Sequence, residues 1–522
     1  MDYYTKYNKY KNKYYNLKNG TNCNNFVYQD YNTKEKRKQK FDELLNSKRI
    51  FNNKIFLIGF GCVGRPLLWL IIKNFTMNYN NIFIIEERNI NSEAVQFINI
   101  GVNIINTNFN EKNYQTILQS LSFNDIIIDA GTSISTLDLM KLCQEKGANF
   151  ICSCIQEWDI EQQRVNNEFY KDSIIYRHKI LDEYNNSILN KNFNCIVSMG
   201  CNPGNVSLWA KIGLNKIAED KKLFNHNLNY NKLAQKLGIQ TIHISEKDTQ
   251  ISNIPKKINE YCNTWSMKPN NYYGEGLSCL ELSWGTHEPA PIKVFKDSKF
   301  NLNENNNLVV SKLGFYTYAQ SWVPYYEKYI GHLVCHDESN TIGETLTIYE
   351  NNKIIYKPSV YYVYHSCNDA MASIHELKER NEADQDNYRL LTSEIIDGRD
   401  ILGITYFLED KNIYWIGSLL SIHESRDLFD NNINNFINAT NTQVIAGYFS
   451  GILYFLDLGD KKVGMMDPDD LPVDKIIKYQ LPMLGEFIFI KKNDYKIKVL
   501  DNNVNSYIYE LDEWTFNNFL IG

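Results

Sequence analysis

A glycine-rich loop of the form G-x-G-x-x-G constrains the fold of this 522-residue chain more than any other feature. Its glycines, Gly59, Gly61 and Gly64, follow a short apolar segment at 54–58 and precede a helix-forming segment at 66–73. The motif alone is weak evidence, but a position between a strand and a helix is the context in which it is informative. The sequence therefore predicts a strand–turn–helix unit.

Three more apolar segments, at 81–85, 125–129 and 149–152, are predicted strands, and helical patterns lie between them. Continuous apolar strands that alternate with helices are typical of a parallel sheet whose two faces are both covered. We therefore expect a doubly wound α/β domain of the Rossmann type over residues 49–200.

The chain is too long for one hydrophobic core, so at least two domains are expected. Residues 1–48 form a polar extension, with a helix expected over 34–45. Residues 201–522 mix helical and Tyr-rich strand patterns, which predicts a second, α+β domain. A late part of this second domain is a candidate to return to the Rossmann layer.

Each glycine of the loop has a separate purpose in a dinucleotide-binding unit. Gly59 permits the tight turn, Gly61 lets the backbone approach a pyrophosphate, and Gly64 allows close packing of helix and sheet. The N terminus of the following helix offers unpaired N–H groups to phosphates. We expect a bound dinucleotide; the alternative is a structural glycine turn in a Rossmann-like protein that binds none.

The residues that follow the second strand favour NAD over NADP. Glu86 stands where a carboxylate accepts hydrogen bonds from the ribose 2′-OH and repels a 2′-phosphate. Glu87 is an alternative for this role because strand registers are uncertain by a residue. Arg88 could accommodate the 2′-phosphate of NADP, so NADP is a lesser alternative.

Composition excludes several classes of partner. The net charge of −6, from 55 basic and 61 acidic residues, gives no basic excess for nucleic acid. The eleven cysteines lack metal-ligand spacing, so no metal site is expected. No secretory signal is visible, and the longest apolar run, 67–72, is far too short to span a membrane. We expect a cytoplasmic protein without a membrane partner.

The second half contains a stretch rich in carboxylates, tryptophans and glycines, at 246–250, 263–266, 274–276 and 281–288. An indole face attracts an ammonium group by about 0.5–2 kcal/mol. Buried carboxylates are costly unless paired, and a bound cation relieves that cost. The stretch suits an organic cation, although structural roles are the alternative for its members, Trp265, Trp284, Glu246, Glu275 and His287, and for His336.

These segments resemble the bacterial-type homospermidine synthases, which belong with the saccharopine dehydrogenase-like enzymes. The likeness runs in order from about residue 54 to near the C terminus. Trp-Gly-Thr-His-Glu after Asn-Thr-Trp-Ser is its most specific part. The segments that carry it are 58–61, 200–204, 243–250, 263–266, 275–276, 281–288, 333–336, 356–362, 397–398 and 414–418.

The resemblance implies an NAD-dependent transferase of polyamine biosynthesis. Two putrescine molecules, or putrescine and spermidine, would condense to homospermidine with release of ammonia or diaminopropane. NAD would take a hydride from an amine carbon and return it to the product imine, so that no net oxidation occurs. The resemblance also implies a homodimer and a second domain that binds substrate and forms the dimer.

The resemblance implies roles for individual residues as well. Trp265 would stabilise cationic intermediates, Glu246 and Glu275 would bind amines, and Asn202 would orient one. His336 is a second candidate for polar contact or proton handling. The residues expected to serve NAD are Gly59, Gly61, Gly64, Glu86, Thr132 and Ser133.

Two departures from the family pattern stand out. The family usually carries a glutamate where this chain has Gln156 followed by Glu157, so either residue is a candidate for binding substrate. The loop over 266–274 is about two residues longer than usual, which can change the reach of the substrate channel.

Two other functions remain as alternatives. A saccharopine or carboxynorspermidine type of NAD(P)-dependent dehydrogenase would need a basic clamp for a carboxylate, and the acidic stretch offers Lys247 but no arginine. A non-catalytic Rossmann sensor or scaffold would keep the glycine loop beside a broken amine site.

Overall fold

The structure is a computed structural model that describes residues 26–158, 169–223, 228–265, 278–492, 496–500, 506–510 and 513–521. Its N-terminal domain contains a seven-stranded parallel sheet, which confirms the predicted doubly wound fold. From one edge to the other, the strands are Gly464–Met466, Asn194–Ile196, Asn149–Cys152, Ile126–Asp129, Ile55–Ile58, Ile82–Glu86 and Asn103–Asn106.

The inner strands of this sheet are buried on both faces. Leu57 lies in the apolar cluster of the helix Gly64–Asn74, whereas its neighbour Phe56 lies in that of the helix Thr136–Lys146. This two-sided burial explains why these strands have continuous apolar sequences. The edge strand Asn103–Asn106 is only partly buried and is framed by asparagines, so the sequence analysis did not find it.

The carboxyl half of the chain contributes to the same layer. The strand Gly464–Met466 pairs in parallel with Asn194–Ile196, and the long buried helix Ala439–Leu458 packs against Asn149–Cys152 and Gly64–Asn74. The N-terminal sheet is therefore completed by residues far along the chain.

The second domain is an eleven-stranded mixed sheet with flanking helices, as the α+β prediction requires. Its central strand, Ile239–Asp248, lies parallel to Ser359–His365 and antiparallel to Arg399–Leu408. The other strands are Phe300–Leu302, Asn307–Leu313, Cys279–Ser283, Ile413–Ser421, Phe487–Lys492, Tyr318–Ser321, Tyr329–Val334 and Leu520–Ile521.

Ten helices of eight or more residues lie in the described part of the chain. They are Lys34–Asn46, Gly64–Asn74, Thr136–Lys146, Ile174–Ser187, Asn205–Asp220, Tyr230–Leu237, Glu338–Thr345, Asn368–Glu379, Ala439–Leu458 and Val473–Gln480. None of the described helices has the length and apolar character that crossing a membrane demands.

The helix expected at 34–45 is present as Lys34–Asn46, and it packs on the body of the protein. Phe41 is fully buried against Phe429, and the Arg37 guanidinium pairs with Glu424 at 2.5 Å. The part of the polar extension that contains this helix is therefore part of the fold.

Candidate active site

The glycine loop borders an open groove of about 1000 Å³ at the carboxyl edge of the parallel sheet. Gly59 has φ of +89°, and a Cβ atom there would lie 2.6 Å from the carbonyl oxygen of Ala130. A Cβ atom on Gly64 would lie 2.2 Å from the Gly59 carbonyl oxygen, whereas one on Gly61 would meet no atom within 4 Å. Gly61 thus leaves the backbone open to a ligand, which is what a bound pyrophosphate needs.

The carboxylate of Glu86 lies over the glycine loop. It accepts hydrogen bonds from Phe60 N at 2.9 Å and from Arg88 N at 3.1 Å. Burial alone would raise the pKa of Glu86, but these amides and the Arg88 guanidinium lower it. An ionised carboxylate here suits a ribose with a free 2′-OH. Glu87 lines the same groove.

The loop after the strand Ile126–Asp129 separates this groove from a second cavity. Thr132 lines both spaces, and Ser133 lines the groove. The backbone N–H of Ser133 donates to Gln156 Oε1, and Gln156 Nε2 donates to Cys154 Sγ at 2.8 Å. The Gln156 amide therefore holds this loop in place while it also lines the second cavity.

The second cavity has a volume of about 210 Å³ and adjoins the groove. Val63, Thr132 and Trp265 line both spaces. Asn202, Glu246 and His336 line the cavity. A substrate bound in this cavity would thus lie next to the end of a dinucleotide in the groove, at the switch point where Rossmann folds bind ligands.

Trp265 is held at this junction by polar contacts to two neighbouring segments. Its carbonyl oxygen accepts from Cys62 Sγ of the glycine loop at 3.4 Å. Asn441 Nδ2 donates to the Cys62 carbonyl at 3.2 Å, and Asn438 Nδ2 donates to the Thr264 carbonyl at 2.5 Å. One helix N terminus therefore fixes both the glycine loop and the tryptophan.

Glu246 is a buried carboxylate with polar partners from two other segments. It lies near the end of the strand Ile239–Asp248 and accepts from Asn202 Nδ2 and from the Tyr362 hydroxyl, each at 2.5 Å. Burial raises the pKa of Glu246, although both hydrogen bonds oppose that rise. Burial therefore favours the protonated form of this carboxyl group, and its charged form attracts a cation.

Two further acidic residues lie behind Glu246 on neighbouring positions of the sheet. Asp248 and Asp400 face each other across paired strands, and both are buried. Burial raises the pKa of Asp248 to about 7, and burial with the Glu246 and Asp248 charges raises that of Asp400 well above its usual value. This acidic layer biases the cavity towards cationic ligands.

His336 contacts Tyr362, whose hydroxyl donates to Glu246. Its ring centroid is 4.9 Å from that of Tyr362, and its Nδ1 lies 3.5 Å from Glu338 Oε1. The imidazole is therefore close enough to influence Glu246, whose pKa its charge lowers.

Several residues of the segment 281–288 stabilise the fold and do not line the cavity. Glu281 accepts from Ile174 N at 3.0 Å and from Ile175 N at 3.1 Å. Trp284 packs against Phe295 in a hydrophobic core. His287 and Glu288 contact the C-terminal segment through the Trp514 carbonyl and the Phe516 amide.

The structure places some of the remaining sequence candidates in the cavity wall and others away from it. Among described residues Gln156 lines the cavity, but Glu157 does not. Glu275 and the longer loop at 266–274 lie outside the described residues. Lys247 lies 5.1 Å from the Tyr326 ring, away from the cavity. Arg177, which the sequence analysis did not consider, does line it and donates to the Ile155 carbonyl at 3.1 Å.

Sequence reasoning also missed Tyr362, Asp400 and Asp337, which contribute to the cavity or to the layer behind it. Asp400 follows Arg399 at the start of an apolar strand, and a carboxylate in such a run is a signal of a functional role. Asp337 stands between His336 and Glu338, and no pattern in the sequence distinguishes it from a loop acid.

The fold and this pair of adjoining spaces define a Rossmann enzyme that brings a dinucleotide groove next to a cavity with acidic residues in its wall. A model of the saccharopine dehydrogenase NADP-binding domain matches residues 55–182. The solved structure of the homospermidine synthase from Legionella pneumophila in complex with NAD is 30% identical, with a TM-score of 0.79 over 91% of this chain and 99% of that one. The chain belongs to the homospermidine synthase family.

Two curated relatives agree with this assignment. The homospermidine synthase of Blastochloris viridis is 29% identical over 488 residues, or 90% of this chain and 97% of the relative. That of Mesorhizobium japonicum is 28% identical over 487 residues, or 90% of this chain and 96% of the relative. The similarity spans both domains, so it includes the cavity as well as the dinucleotide groove.

Proposed function

We propose that this protein condenses two putrescine molecules, or putrescine and spermidine, to homospermidine. Ammonia or diaminopropane is the other product. The observation that carries the proposal is the buried carboxylate of Glu246, held by Asn202 and Tyr362 in a cavity that shares Trp265 with the dinucleotide groove. This arrangement suits an aliphatic ammonium next to a nicotinamide.

We propose NAD as the cofactor, bound along the groove by the glycine loop. The open side of Gly61 and the N terminus of the helix Gly64–Asn74 fit a pyrophosphate, and the Glu86 carboxylate fits a ribose 2′-OH and disfavours NADP. NAD, when bound, accepts a hydride from an amine carbon and returns it later, so that it is regenerated in each cycle.

The cavity residues bind the diamine and take up its proton. An aliphatic amine is protonated at neutral pH, since its pKa is close to that of lysine at about 10.4. Glu246 pairs with the ammonium and accepts its proton, while Asn202 fixes the orientation of the carboxylate. The Trp265 side chain stabilises positive charge on the substrate by cation–π attraction. The charge of His336 lowers the pKa of Glu246 and so favours its ionised form.

The cavity walls also exclude water. Tyr362, Tyr364 and Tyr448 line the space, whose volume is about 210 Å³. Water that reached an imine of the substrate would hydrolyse it to an aldehyde and interrupt transfer to the second amine. We propose that Gln156, rather than Glu157, contributes to this wall, and that Glu275 binds the second amine.

The presence of Arg177 in the cavity wall favours a dehydrogenase, because such an enzyme needs a basic group to bind the carboxylate of its substrate. Its guanidinium is nevertheless used within the wall, because it donates to the Ile155 carbonyl and its charge lowers the pKa of Glu281. The acidic layer formed by Glu246, Asp248 and Asp400 would repel a substrate carboxylate. We therefore favour the synthase.

The test is incubation of the pure protein with putrescine and substoichiometric NAD⁺. We expect homospermidine by mass spectrometry and ammonia by assay, both in large molar excess over NAD⁺. A dehydrogenase stops after one turnover for each NAD⁺, so product limited to the amount of NAD⁺ would contradict the proposal. Assembly as a homodimer and a cytoplasmic location complete it, and light scattering and cell fractionation test these two points.

A further inference from the structure

The amide side chain of Asn438 makes more hydrogen bonds than its helix requires. Asn438 is fully buried at the N terminus of the helix Ala439–Leu458, where its Oδ1 accepts from Asn441 N at 2.7 Å. Asn441 Oδ1 accepts in turn from Asn438 N at 2.9 Å, which completes a capping box. The side-chain oxygen alone satisfies this capping role. The N–H groups of the Asn438 amide are therefore available for other contacts.

Those N–H groups connect two segments of the second domain. Asn438 Nδ2 donates to the Thr264 carbonyl at 2.5 Å and to the Leu391 carbonyl at 2.8 Å. Thr264 directly precedes Trp265, and Leu391 directly follows Leu390. Trp265 and Leu390 both line the dinucleotide groove, and Trp265 also lines the cavity. The amide thus binds the backbone beside both wall residues, although Asn438 itself lines neither space.

We propose that Asn438 is a positioning residue that fixes the Trp265 indole against the end of the dinucleotide. This inference rests on the proposed function, because the indole acts there on the charge of the amine substrate. Asn438 touches neither substrate nor cofactor in this arrangement and acts only through the main chain at Thr264. A displacement of about 1 Å of a group that acts on the reacting atoms can cost about 100-fold in rate. The two donated hydrogen bonds oppose such a displacement.

A short two-stranded sheet leads to both wall residues. The strands Glu260–Asn263 and Asn387–Leu390 lie parallel, and Leu391 N extends their ladder with a hydrogen bond to the Asn263 carbonyl at 2.8 Å. The two carbonyl groups that Asn438 binds come directly after this ladder, one on each segment. The amide therefore closes the end of the sheet at the point where the tryptophan follows.

The same helix N terminus also holds the glycine loop. Asn441 Nδ2 donates to the Cys62 carbonyl at 3.2 Å, and Cys62 Sγ donates to the Trp265 carbonyl at 3.4 Å. These contacts form a closed ring of hydrogen bonds that passes from Trp265 through Cys62, Asn441 and Asn438 to Thr264. Such a ring fixes the distance between the loop proposed to hold the pyrophosphate and the indole proposed to face the amine.

Asn438→Ser separates the two uses of this side chain. Serine and asparagine are comparably good at the N-cap position, since each offers an oxygen to the first amides of a helix. The variant therefore retains the helix cap. It loses the amide N–H donors that bind the Thr264 and Leu391 carbonyls, so the support of the tryptophan is weakened while the helix is kept.

A double-mutant cycle of Asn438→Ser and Trp265→Ala in the full-length protein, with putrescine and NAD⁺, tests the role of Asn438. We expect Asn438→Ser alone to lower kcat by about three- to ten-fold, with Kd for NAD within about two-fold of wild type. In the Trp265→Ala background the same change should lower kcat by less than about two-fold, because no indole remains to be positioned. A purely structural role would lower kcat by the same factor in both backgrounds, and that result overturns the proposal.

Asn435→Ser is the matched control, because Asn435 is an exposed asparagine shortly before the same helix. It should leave kcat unchanged. If Asn438→Ser fails to fold, Asn438→Asp decides the question, since aspartate also caps helices but its carboxylate has no N–H to donate. Wild-type kcat in the variant that folds overturns the proposal. A wild-type protein that makes no homospermidine contradicts the proposed function itself, before any variant is compared.

Discussion

The Nδ2 atom of Asn202 lies 2.5 Å from Oε2 of Glu246, although 44 positions separate the two residues in the sequence. Asn202 belongs to the turn that follows the Rossmann strands, and Glu246 belongs to the central strand of the second domain. The contact therefore joins the two domains at the cavity. A change in either residue should affect the amine more than the dinucleotide.

Glu246→Gln tests this expectation. The variant keeps the shape of the side chain but loses the charge that pairs with an ammonium, a buried contact whose loss costs about 2 kcal/mol or more. We expect KM for putrescine to rise by at least about ten-fold, while Kd for NAD remains within about two-fold. Steady-state titration and calorimetry measure the two quantities. If KM for putrescine and Kd for NAD rose by the same factor, Glu246 would act by stabilising the fold rather than by contacting the amine.

Trp265→Ala should reduce turnover more than NAD binding. Cation–π attraction of about 0.5–2 kcal/mol, with the larger values in desolvated sites, acts on the charged intermediates, so kcat is expected to fall roughly two- to thirty-fold. Trp265→Phe keeps an aromatic face and should lose less. Trp284→Phe is the control, since Trp284 packs with Phe295 in a core. Unchanged kcat in Trp265→Ala would remove its assigned role.

Most of the Rossmann layer could be predicted from the sequence because short segments of the chain specify its strands and its glycine turn. The strands Ile55–Ile58 and Asn149–Cys152 are continuous apolar runs, and Gly59 and Gly64 occupy positions where a Cβ atom would collide with backbone. Such constraints are written within a few residues. The strand Gly464–Met466 joins the same sheet from far along the chain, and only the tertiary structure reveals where it pairs.

The candidate site was less accessible to sequence reasoning because its residues come together only through the fold. The sequence brought Trp265, Glu246, Asn202 and His336 to attention, and they line one cavity. Asp337 and Arg177 line the same cavity without any local pattern. Trp284, in contrast, has a functional appearance in sequence but is held in a core by its aromatic neighbours.

Gln156→Glu tests the departure from the family pattern. A carboxylate at this position keeps an acceptor for the Ser133 amide and adds negative charge to the cavity wall. We expect KM for putrescine to fall by about three-fold or more, since a carboxylate in the cavity wall attracts the substrate ammonium by about 1 kcal/mol. Glu157→Gln is the control and should leave KM unchanged. A larger effect of Glu157→Gln would assign the substrate contact to Glu157.

Glu86→Ser should relax the choice between the two dinucleotides. The variant removes the negative charge that would face a 2′-phosphate and removes the nearer of the two carboxylate partners of Arg88. We expect the preference for NAD over NADP, measured as the ratio of their Kd values, to fall by about ten-fold or more. Glu87→Gln, a neighbouring change in the same groove, should alter that ratio less. An equal change of the Kd ratio in both variants would show that the total negative charge of the groove, rather than Glu86 itself, sets the preference for NAD.

The buried acidic layer should make thermal stability decline as the pH rises from acidic values through about 7. Burial raises the pKa of Asp248 to about 7, so this group is protonated more readily in the folded chain than in the unfolded chain. Its contribution to stability is present below its unfolded pKa of about 4 and is lost as the pH rises through about 7. We therefore expect Tm to be lower at pH 8 than at pH 6.

Asp248→Asn should reduce that decline, because asparagine keeps an acceptor for the Gln250 amide but does not ionise. Asp384→Asn, at an exposed position, should retain the full decline. Putrescine should raise Tm more at pH 8 than at pH 6, since a bound ammonium offsets the charge of the ionised acidic layer. Scanning calorimetry of the three proteins at both pH values checks these expectations. A decline of the same size in Asp248→Asn and wild type would place the titrating groups elsewhere in the chain.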